Sequence, residues 1–127
     1  MKIKFLLIAL VFGFLSCSTL SALESDPIKV GPDIYKLKFE NERVRVMEVV
    51  FAPGAKIAMH SHPDHVTTLI TAGTLRLSYP DGTTKEISGN AGDVFYIPAE
   101  SHAAENIGTT EVKGIVVELK EAKPMTE

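Results

Sequence analysis

Apolar and polar positions alternate along most of the chain after residue 33, in runs that are too short for helices. Tyr35 to Phe39 reads apolar, charged, apolar, charged, apolar, which is the period of a strand with one buried face. Comparable runs rich in Val, Ile, Thr, Tyr and Phe follow at intervals of about 8–12 residues. The pattern predicts strands at 35–39, 42–51, 66–71, 74–79, 83–87, 93–97, 102–106 and 111–119. Short, evenly spaced strands indicate an all-β sandwich or barrel.

The residues between these runs are typical of tight turns. Gly, Pro, Asn and Asp are concentrated at 52–55, 80–82 and 88–92, where they favour the backbone angles that turns require. Residues 23–33 hold two prolines and show no periodicity. We expect this segment to form an extended arm ahead of the first strand.

The first 22 residues have a different pattern. Lys2 and Lys4 precede an apolar run from Phe5 to Leu15, and small or polar residues follow as far as Ala22. This is the three-part pattern of a secretory signal peptide, and the apolar run is well short of the roughly 20 residues that span a bilayer. We therefore expect a signal peptide over 1–22 and export to the periplasm or the medium. Cys17 ends a sequence similar to a bacterial lipoprotein site, so a lipid anchor there is the alternative.

Composition excludes some classes of protein. The 127-residue chain has one cysteine, so no disulfide can form within it. Removing residues 1–22 takes away two lysines and no acid, which leaves 11 basic and 16 acidic side chains, a net charge of −5. An acidic balance argues against nucleic-acid binding. The remaining length is that of one domain, which we place at 35–119.

The four histidines are the most informative candidates for chemistry. His60, His62 and His65 fall within six residues, and His102 follows about forty residues later. Residues two apart on a strand point to the same face, so His60 and His62 can act together. Neutral imidazole is the commonest metal ligand in proteins. Two imidazoles from one strand and one from a distant strand predict a metal site that only the folded chain assembles.

The first histidine group lies in a motif that resembles the first motif of the cupins, a family of small single-domain β-barrels. Gly54 is followed by five residues and then by His60-Ser61-His62, and Val66 and Gly73 come after them at the cupin spacing. Most cupins have glutamate where this chain has Val66. The departure removes the carboxylate from the ligand set that the motif usually supplies.

The fourth histidine lies in a sequence similar to the second cupin motif. Gly92 is followed by five residues and Pro98, and His102 and Asn106 come next. The usual glycine after the proline is absent, and the interval from Pro98 to His102 is one residue shorter than in the common pattern. The resemblance spans residues 44–119 and implies a single jelly-roll β-barrel.

The resemblance also implies the ligands of a metal inside the barrel. By that likeness His60, His62 and His102 bind one divalent ion, and His65 is a candidate for a fourth ligand, the other interpretation being a histidine at the rim of the pocket. The metal could be Fe, Mn, Zn, Ni or Cu, because neutral imidazole suits several of these ions. The resemblance identifies no catalytic residue.

Other residues near the motifs are candidates for a pocket wall or for structural roles. If Val66 faces the histidines, Thr68 and Ile70 share its face and line the pocket. Glu48 and Glu118 stand among apolar strand residues, where a buried carboxylate needs a partner and could be a catalytic acid. We expect them instead to be structural residues that are either paired or exposed at a sheet edge. Asn106 is expected to be structural.

Three functions are compatible with this sequence. The first is a mononuclear metal oxygenase or small-molecule isomerase with a three-histidine site. The second is a non-catalytic periplasmic binder of a metal or small ligand, and the third is an interaction module with a vestigial site. We expect a small-molecule partner and no nucleic acid, and a homodimer is compatible with the family likeness.

Overall fold

Two antiparallel sheets make up the fold. The computed structural model describes residues 25–121, and within that range nine strands are formed. The larger sheet has the order β1 (Tyr35–Glu40), β2 (Val44–Phe51), β9 (Val112–Leu119), β4 (His65–Leu69), β7 (Val94–Ile97). The smaller sheet has the order β3 (Lys56–His62), β8 (Glu100–Asn106), β5 (Gly73–Ser78), β6 (Thr84–Gly89). The predicted all-β class is confirmed.

The turn between β5 and β6 forms as its residues predict. The backbone N–H of Gly82 donates to the carbonyl of Tyr79 at 3.0 Å, which closes a four-residue turn. Gly82 has a φ of +85°, a conformation that side chains with a Cβ disfavour. The carboxylate of Asp81 accepts from the backbone N–H of Thr83 at 2.9 Å. The hairpin therefore pairs Leu77 with Lys85 in β6.

The core lies between the sheets and follows the strand period. In β2, Met47, Val49 and Phe51 are buried at every second position. Their counterparts from the other sheet are Ile57, Leu77 and Ala104. Burial of large apolar side chains contributes about 1.5–3 kcal/mol each relative to exposure. This apolar core packs the two sheets together.

The expectation of an extended arm over residues 23–33 is wrong for Pro27–Val30, which form a short helix, α1. Asp26 is its N-cap and accepts a hydrogen bond from the backbone N–H of Ile28 at 2.9 Å, and Pro27 occupies the first turn. Asp-Pro is a start signal for a helix, because the cap satisfies a free N–H and proline presets φ. The segment is too short for an apolar periodicity to show.

The predicted signal peptide and Cys17 lie outside the described residues. Between residues 25 and 121, no helix is long and apolar enough to cross a membrane.

Candidate metal centre

A bulge in β3 sets the direction of its two histidines. Ile57 pairs with Ala104 and His60 with His102, so β3 has one residue more than β8 between these two pairs. Because of this extra residue, Ile57, His60 and His62 all face the interior, although Ile57 and His60 are three apart. Bulges of this kind are common beside functional sites, where they redirect side chains. Met59 lies in the bulge and is exposed.

His102 reaches the same point from the neighbouring strand. It is the direct cross-strand partner of His60, and the centroids of these two rings are 4.8 Å apart. The ring of His62 lies 4.9 Å from that of His60 and 5.4 Å from that of His102. One ring nitrogen from each of the three residues lies within 4.8 Å of the others. Side chains so arranged can share one metal ion.

Hydrogen bonds determine which nitrogen each ring offers. Nδ1 of His60 donates to the carbonyl of Ala58 at 2.8 Å, and Nδ1 of His62 donates to Oε1 of Glu118 at 2.7 Å. Nδ1 of His102 donates to Oε1 of Glu100 at 2.7 Å. Carbonyls and carboxylates only accept, so Nδ1 carries the hydrogen and Nε2 has the free lone pair in each neutral ring. This is the usual arrangement of histidines that bind metals.

The environment of His60 provides a test of whether a metal fits. His60 is 0% exposed, and its Nε2 is the buried side-chain atom without a hydrogen-bond partner in residues 25–121. A buried acceptor without a partner is costly, so native structures rarely leave one. A cation beside Nε2 would satisfy it, and His62 and His102 are placed to complete the same site. The donor set therefore fits a divalent metal.

Burial keeps these rings neutral. It lowers the pKa of His60 from 6.5 to about 4, more than the hydrogen bond to Ala58 raises it. Burial likewise lowers the pKa of His62 and of His102, against the opposing effects of Glu118 and Glu100. Neutral imidazole has the lone pair that a metal requires. At neutral pH the three side chains are therefore in the form that binds metal.

A chain of charged side chains supports His62 from behind. Oε2 of Glu118 accepts from Nε of Arg45 at 2.7 Å, and a second guanidinium N–H of Arg45 donates to Oδ2 of Asp26 at 2.7 Å. Burial works to raise the pKa of Glu118, but the hydrogen bonds from His62 and Arg45 outweigh it and lower that pKa. Glu118 is therefore an anion that fixes the ring of His62. Both of its oxygens are engaged, which leaves it unsuited to act as a base.

Sequence reasoning missed Arg45, Asp26 and Glu100 in this network. Arg45 lies two residues before Met47 and therefore on the same, buried face of β2. A charged side chain on a buried face needs an ionic partner, so the sequence pattern could have indicated the pairing. Glu100 lies two residues before His102 and therefore on the same face of β8. The expectation that Glu118 is paired is confirmed. Glu48 lies at the surface, beside Lys113 and Lys38.

The phase of β4 corrects the prediction for Val66. His65, Thr67 and Leu69 line the interior cavity, whereas Val66 does not, and neither do Thr68 and Ile70. Ile70 is 46% exposed. The predicted face was therefore the wrong one, because an alternating strand shifted by one residue exchanges its two faces. Val66 pairs with Tyr96 and Val117 and does not take the place of a metal-binding glutamate.

His65 lies inside the barrel and not at its rim. It is 2% exposed, its ring centroid is 4.7 Å from that of His62, and its Nδ1 donates to the carbonyl of Pro63 at 2.8 Å. It does not belong to the group of three whose ligand atoms lie within 4.8 Å of one another. His65 therefore borders the candidate metal centre beside His62.

Asn106 has the structural role that was expected. It is 1% exposed, and its Nδ2 donates to the carbonyls of Phe51 and Thr110 at 3.0 and 2.8 Å. Its Oδ1 accepts from the backbone N–H of Gly108 at 2.9 Å. The side chain thus fixes the end of β2 and the loop after β8, away from the histidines.

A cavity of about 420 Å³ extends from the histidines between the two sheets. His62, His65 and His102 lie on its wall, together with Thr67 and Tyr35. Most of the remaining wall is apolar and includes Phe51, Leu75, Leu77, Ile87, Phe95 and Val116. A volume of this size is within the range of small-molecule sites.

Two facing antiparallel sheets with a cluster of imidazoles between them are typical of small β-barrel proteins with a candidate metal site. The family model for the cupin domain matches residues 47–118. The chain belongs to the cupin family.

Solved structures agree with this assignment. A cupin domain from Bordetella pertussis Tohama I is 31% identical, with a TM-score of 0.65, and the match covers 69% of this chain and 93% of that one. An uncharacterized conserved protein with a double-stranded β-helix domain from Klebsiella pneumoniae is 26% identical, with a TM-score of 0.54 and coverage of 70% and 84%. An RmlC-like cupin from Methanocaldococcus jannaschii shares the fold at 19% identity, with a TM-score of 0.55 and coverage of 68% and 79%. No curated protein matches the chain.

Proposed function

We propose that this cupin binds one divalent metal ion through Nε2 of His60, His62 and His102 and uses it to transform a small molecule held in the adjoining cavity. The observation that carries the proposal is the buried Nε2 of His60, which has no partner in the described chain and faces two further imidazoles. The cavity begins at two of these histidines, His62 and His102. A ligand in it would lie beside the metal.

The protein's own groups would prepare this site for chemistry. Glu118, Glu100 and the carbonyl of Ala58 hold the three rings in one tautomer, so that little reorganisation is needed when metal binds. The apolar wall excludes water around the ligand and strengthens the polar interactions that remain. A bound metal with open positions would supply Lewis-acid polarisation or, as iron, oxygen activation. Oxygenase and isomerase activity are the two reaction classes that we propose.

The alternative function is non-catalytic binding of a metal or small ligand. One observation favours it: Glu86 is the carboxylate on the cavity wall, and it is exposed and ion-paired with Arg76 at 3.2 Å. Glu118 and Glu100 are both hydrogen-bonded to histidines. No free carboxylate among residues 25–121 is therefore placed to transfer a proton to a ligand beside the histidines. The tyrosine and histidines on the wall would have to serve in its place.

Elemental analysis of untagged protein, purified without added metal, tests the metal site. We expect about one equivalent of a transition metal in the natural chain and a steep loss in the alanine variants of His60, His62 or His102. The same loss from Met59→Ala, an exposed neighbour in the bulge, would contradict the assignment. Oxygen uptake by the iron form, with candidate small molecules, separates an oxygenase from a binder.

We also propose that the protein is exported. The sequence pattern of residues 1–22 supports this, and those residues lie outside the described part of the chain. Mass spectrometry of the protein from its native host would distinguish a cut near Ala22 from lipid attachment at Cys17.

A further inference from the structure

An exposed lysine, Lys85, lies at the edge of the cavity, and no other lysine or arginine of residues 25–121 lines it. Lys85 in β6 pairs with Leu77, and Ile87 pairs with Leu75. Leu75, Leu77 and Ile87 all line the cavity. Cross-strand partners point to the same face of a sheet, so Lys85 projects from the inner face of β6 although it is exposed. Lys85 itself is also part of the cavity lining.

The other charges of the same hairpin are paired, whereas Lys85 is not. Arg76 contacts Glu86, the carboxylate on the cavity wall, at 3.2 Å and Glu105 at 3.9 Å. Within residues 25–121, Lys85 has no carboxylate within ion-pairing distance. An inward-facing ammonium group at the edge of an apolar cavity can attract an anion, and the low dielectric of the wall strengthens that attraction.

The apolar part of the wall restricts the body of such an anion. Phe51, Leu77, Phe95 and Val116 offer no hydrogen bonds, so a polyhydroxylated sugar would lose its hydration there without compensation. A cavity of about 150 Å³ holds the six carbons of benzene, so 420 Å³ has room for up to about 17 non-hydrogen atoms. The body should therefore be a short aliphatic or aromatic group.

The position of Lys85 fits a ligand that reaches the histidines. Ala104 pairs with Leu77, and Leu77 with Lys85, so β6 lies two strands from β8. His102 is two residues before Ala104 in β8. Strand spacings then place the Cα atoms of Lys85 and His102 roughly 12 Å apart. The lysine side chain spans part of that interval, and a ligand of the size above spans the remainder.

We propose that the cavity selects small carboxylates with an apolar body, and that Lys85 binds the carboxylate at the mouth. The inference rests on the proposed function in one respect, since the opposite end of the ligand would lie at the metal. The recognition by Lys85 does not require the metal, so the two can be tested separately.

The test uses three probes of similar size: 3-phenylpropanoate, its neutral analogue 3-phenylpropanamide, and D-gluconate, which is anionic but polar. Each is titrated calorimetrically into chelator-dialysed protein and into zinc-loaded protein. In both forms we expect 3-phenylpropanoate to bind about two- to fivefold more tightly than 3-phenylpropanamide, the range of one partly exposed ion pair, and also more tightly than D-gluconate. Lys85→Gln should remove the preference for the carboxylate over the amide.

Two further variants control this result. Lys56→Gln removes the same charge from an exposed lysine that pairs with Glu105 and does not line the cavity, and it should keep the full preference. Ile87→Phe, at a half-buried position on an edge strand, should fill part of the cavity. It should lower the affinity for both phenyl probes and leave the affinity for zinc unchanged.

Several results would overturn the proposal. Equal affinity for the carboxylate and the amide would show that the cavity does not select an anion. Tighter binding of gluconate would show that it does not select an apolar body. If the preference for the carboxylate survives Lys85→Gln but disappears without zinc, the carboxylate binds the metal and not Lys85. Absence of binding by every probe at about 10 mM would exclude the ligand class. Zinc titration alone reports on the metal site, so Lys85-dependent binding without zinc uptake would leave this proposal standing and remove the proposed function.

Discussion

At the scale of single residues, the site depends on which nitrogen of each ring is free. His60, His62 and His102 all use Nδ1 for a hydrogen bond to an oxygen acceptor. Two of those acceptors are carboxylates, which hold the ring more strongly than a neutral carbonyl does. The orientation of the three rings is thus fixed before any metal arrives. Glu118 is the residue through which this idea is most directly tested.

Glu118→Gln should lower metal affinity by about tenfold, because the amide is a weaker acceptor for Nδ1 of His62 and no longer favours its donor tautomer. Competition with a chromogenic chelator would measure the change. Glu48→Gln, which alters a half-buried glutamate in β2, is the matched control and should have no effect. Wild-type affinity in the Glu118 variant, with its fold intact by circular dichroism, would contradict a positioning role.

His65 and Val66 give a second test at this scale. Val66→Glu is expected to change metal affinity little, because Val66 does not line the cavity and the new carboxylate would lie on the other face of β4. His65→Ala should weaken binding by less than about tenfold, whereas His60→Ala should weaken it far more. Titration of each variant with Mn(II) gives the comparison. A loss in His65→Ala as large as that in His60→Ala would make His65 a ligand.

At the scale of elements, most strands could be predicted but two details could not. The alternation in β1 and β2, and the Pro80-Asp81-Gly82 turn, determine local structure from neighbouring residues alone. The bulge in β3 depends on pairing with β8, since the extra residue is defined only against Ile57–Ala104 and His60–His102. That contact is about forty residues away in sequence. Alternation alone cannot show where the phase changes.

The prediction of which face of β4 points inward was wrong for a related reason. Val66 and His65 are adjacent, and both faces of this strand carry apolar or threonine side chains, so its pattern does not distinguish inside from outside. Pairing of His65 with Glu118 and of Thr67 with Val116 decides the matter in the structure. The three histidines His60, His62 and His102 were nevertheless brought together as expected, because the spacing of two residues on β3 survives the bulge.

Asn106 joins three elements, and its loss should be costly. Asn106→Ala removes the hydrogen bonds to Phe51 and Thr110 and leaves the buried carbonyl of Phe51 without its side-chain donor. We expect the free energy of unfolding in urea to fall by about 2–3 kcal/mol. Asn90→Ala, at an exposed turn, should cost less than about 0.5 kcal/mol. Equal losses from the two variants would contradict the structural role of Asn106.

At the scale of the whole molecule, the candidate site bridges the two sheets. His60, His62 and His102 belong to the smaller sheet, whereas Glu118 and Arg45 belong to the larger one. Asp26 extends the same chain of ion pairs to the N-cap of α1. The polar contacts therefore add to the apolar core in holding the sheets together at this end. A change in the charge of the histidines should be felt as a change in global stability.

Metal-free protein should lose stability as pH falls from about 7.5 to about 5. Burial lowers the pKa of His60 to about 4, against 6.5 in the unfolded chain, and it lowers the pKa of His62 and His102 as well. The unfolded chain then binds more protons in this window, so folding is disfavoured as pH falls. Each additional proton contributes a slope of up to about 1.4 kcal/mol per pH unit.

Urea unfolding at several pH values, in the presence of a chelator, would measure this slope. Glu118 and Asp26 also have lowered pKa values, but their contributions are lost only below about pH 4.5, outside the window. His60→Gln, with one titrating group fewer, should show a smaller slope than the wild type. A wild-type stability that does not vary between pH 5 and 7.5 would contradict the expectation.

The cavity lies beside two strand edges that are not hydrogen-bonded to each other, β6 of one sheet and β7 of the other. Residues of both strands line it. Passage of a molecule between these edges breaks no backbone ladder, so it requires rearrangement of side chains and not local unfolding. Opening of this entrance should then proceed on the nanosecond-to-microsecond scale of side-chain and loop motion, faster than the microsecond-to-second scale of local unfolding. The same gap allows the width of the entrance to drift in evolution by substitution at the edge positions alone, without repacking of the histidines.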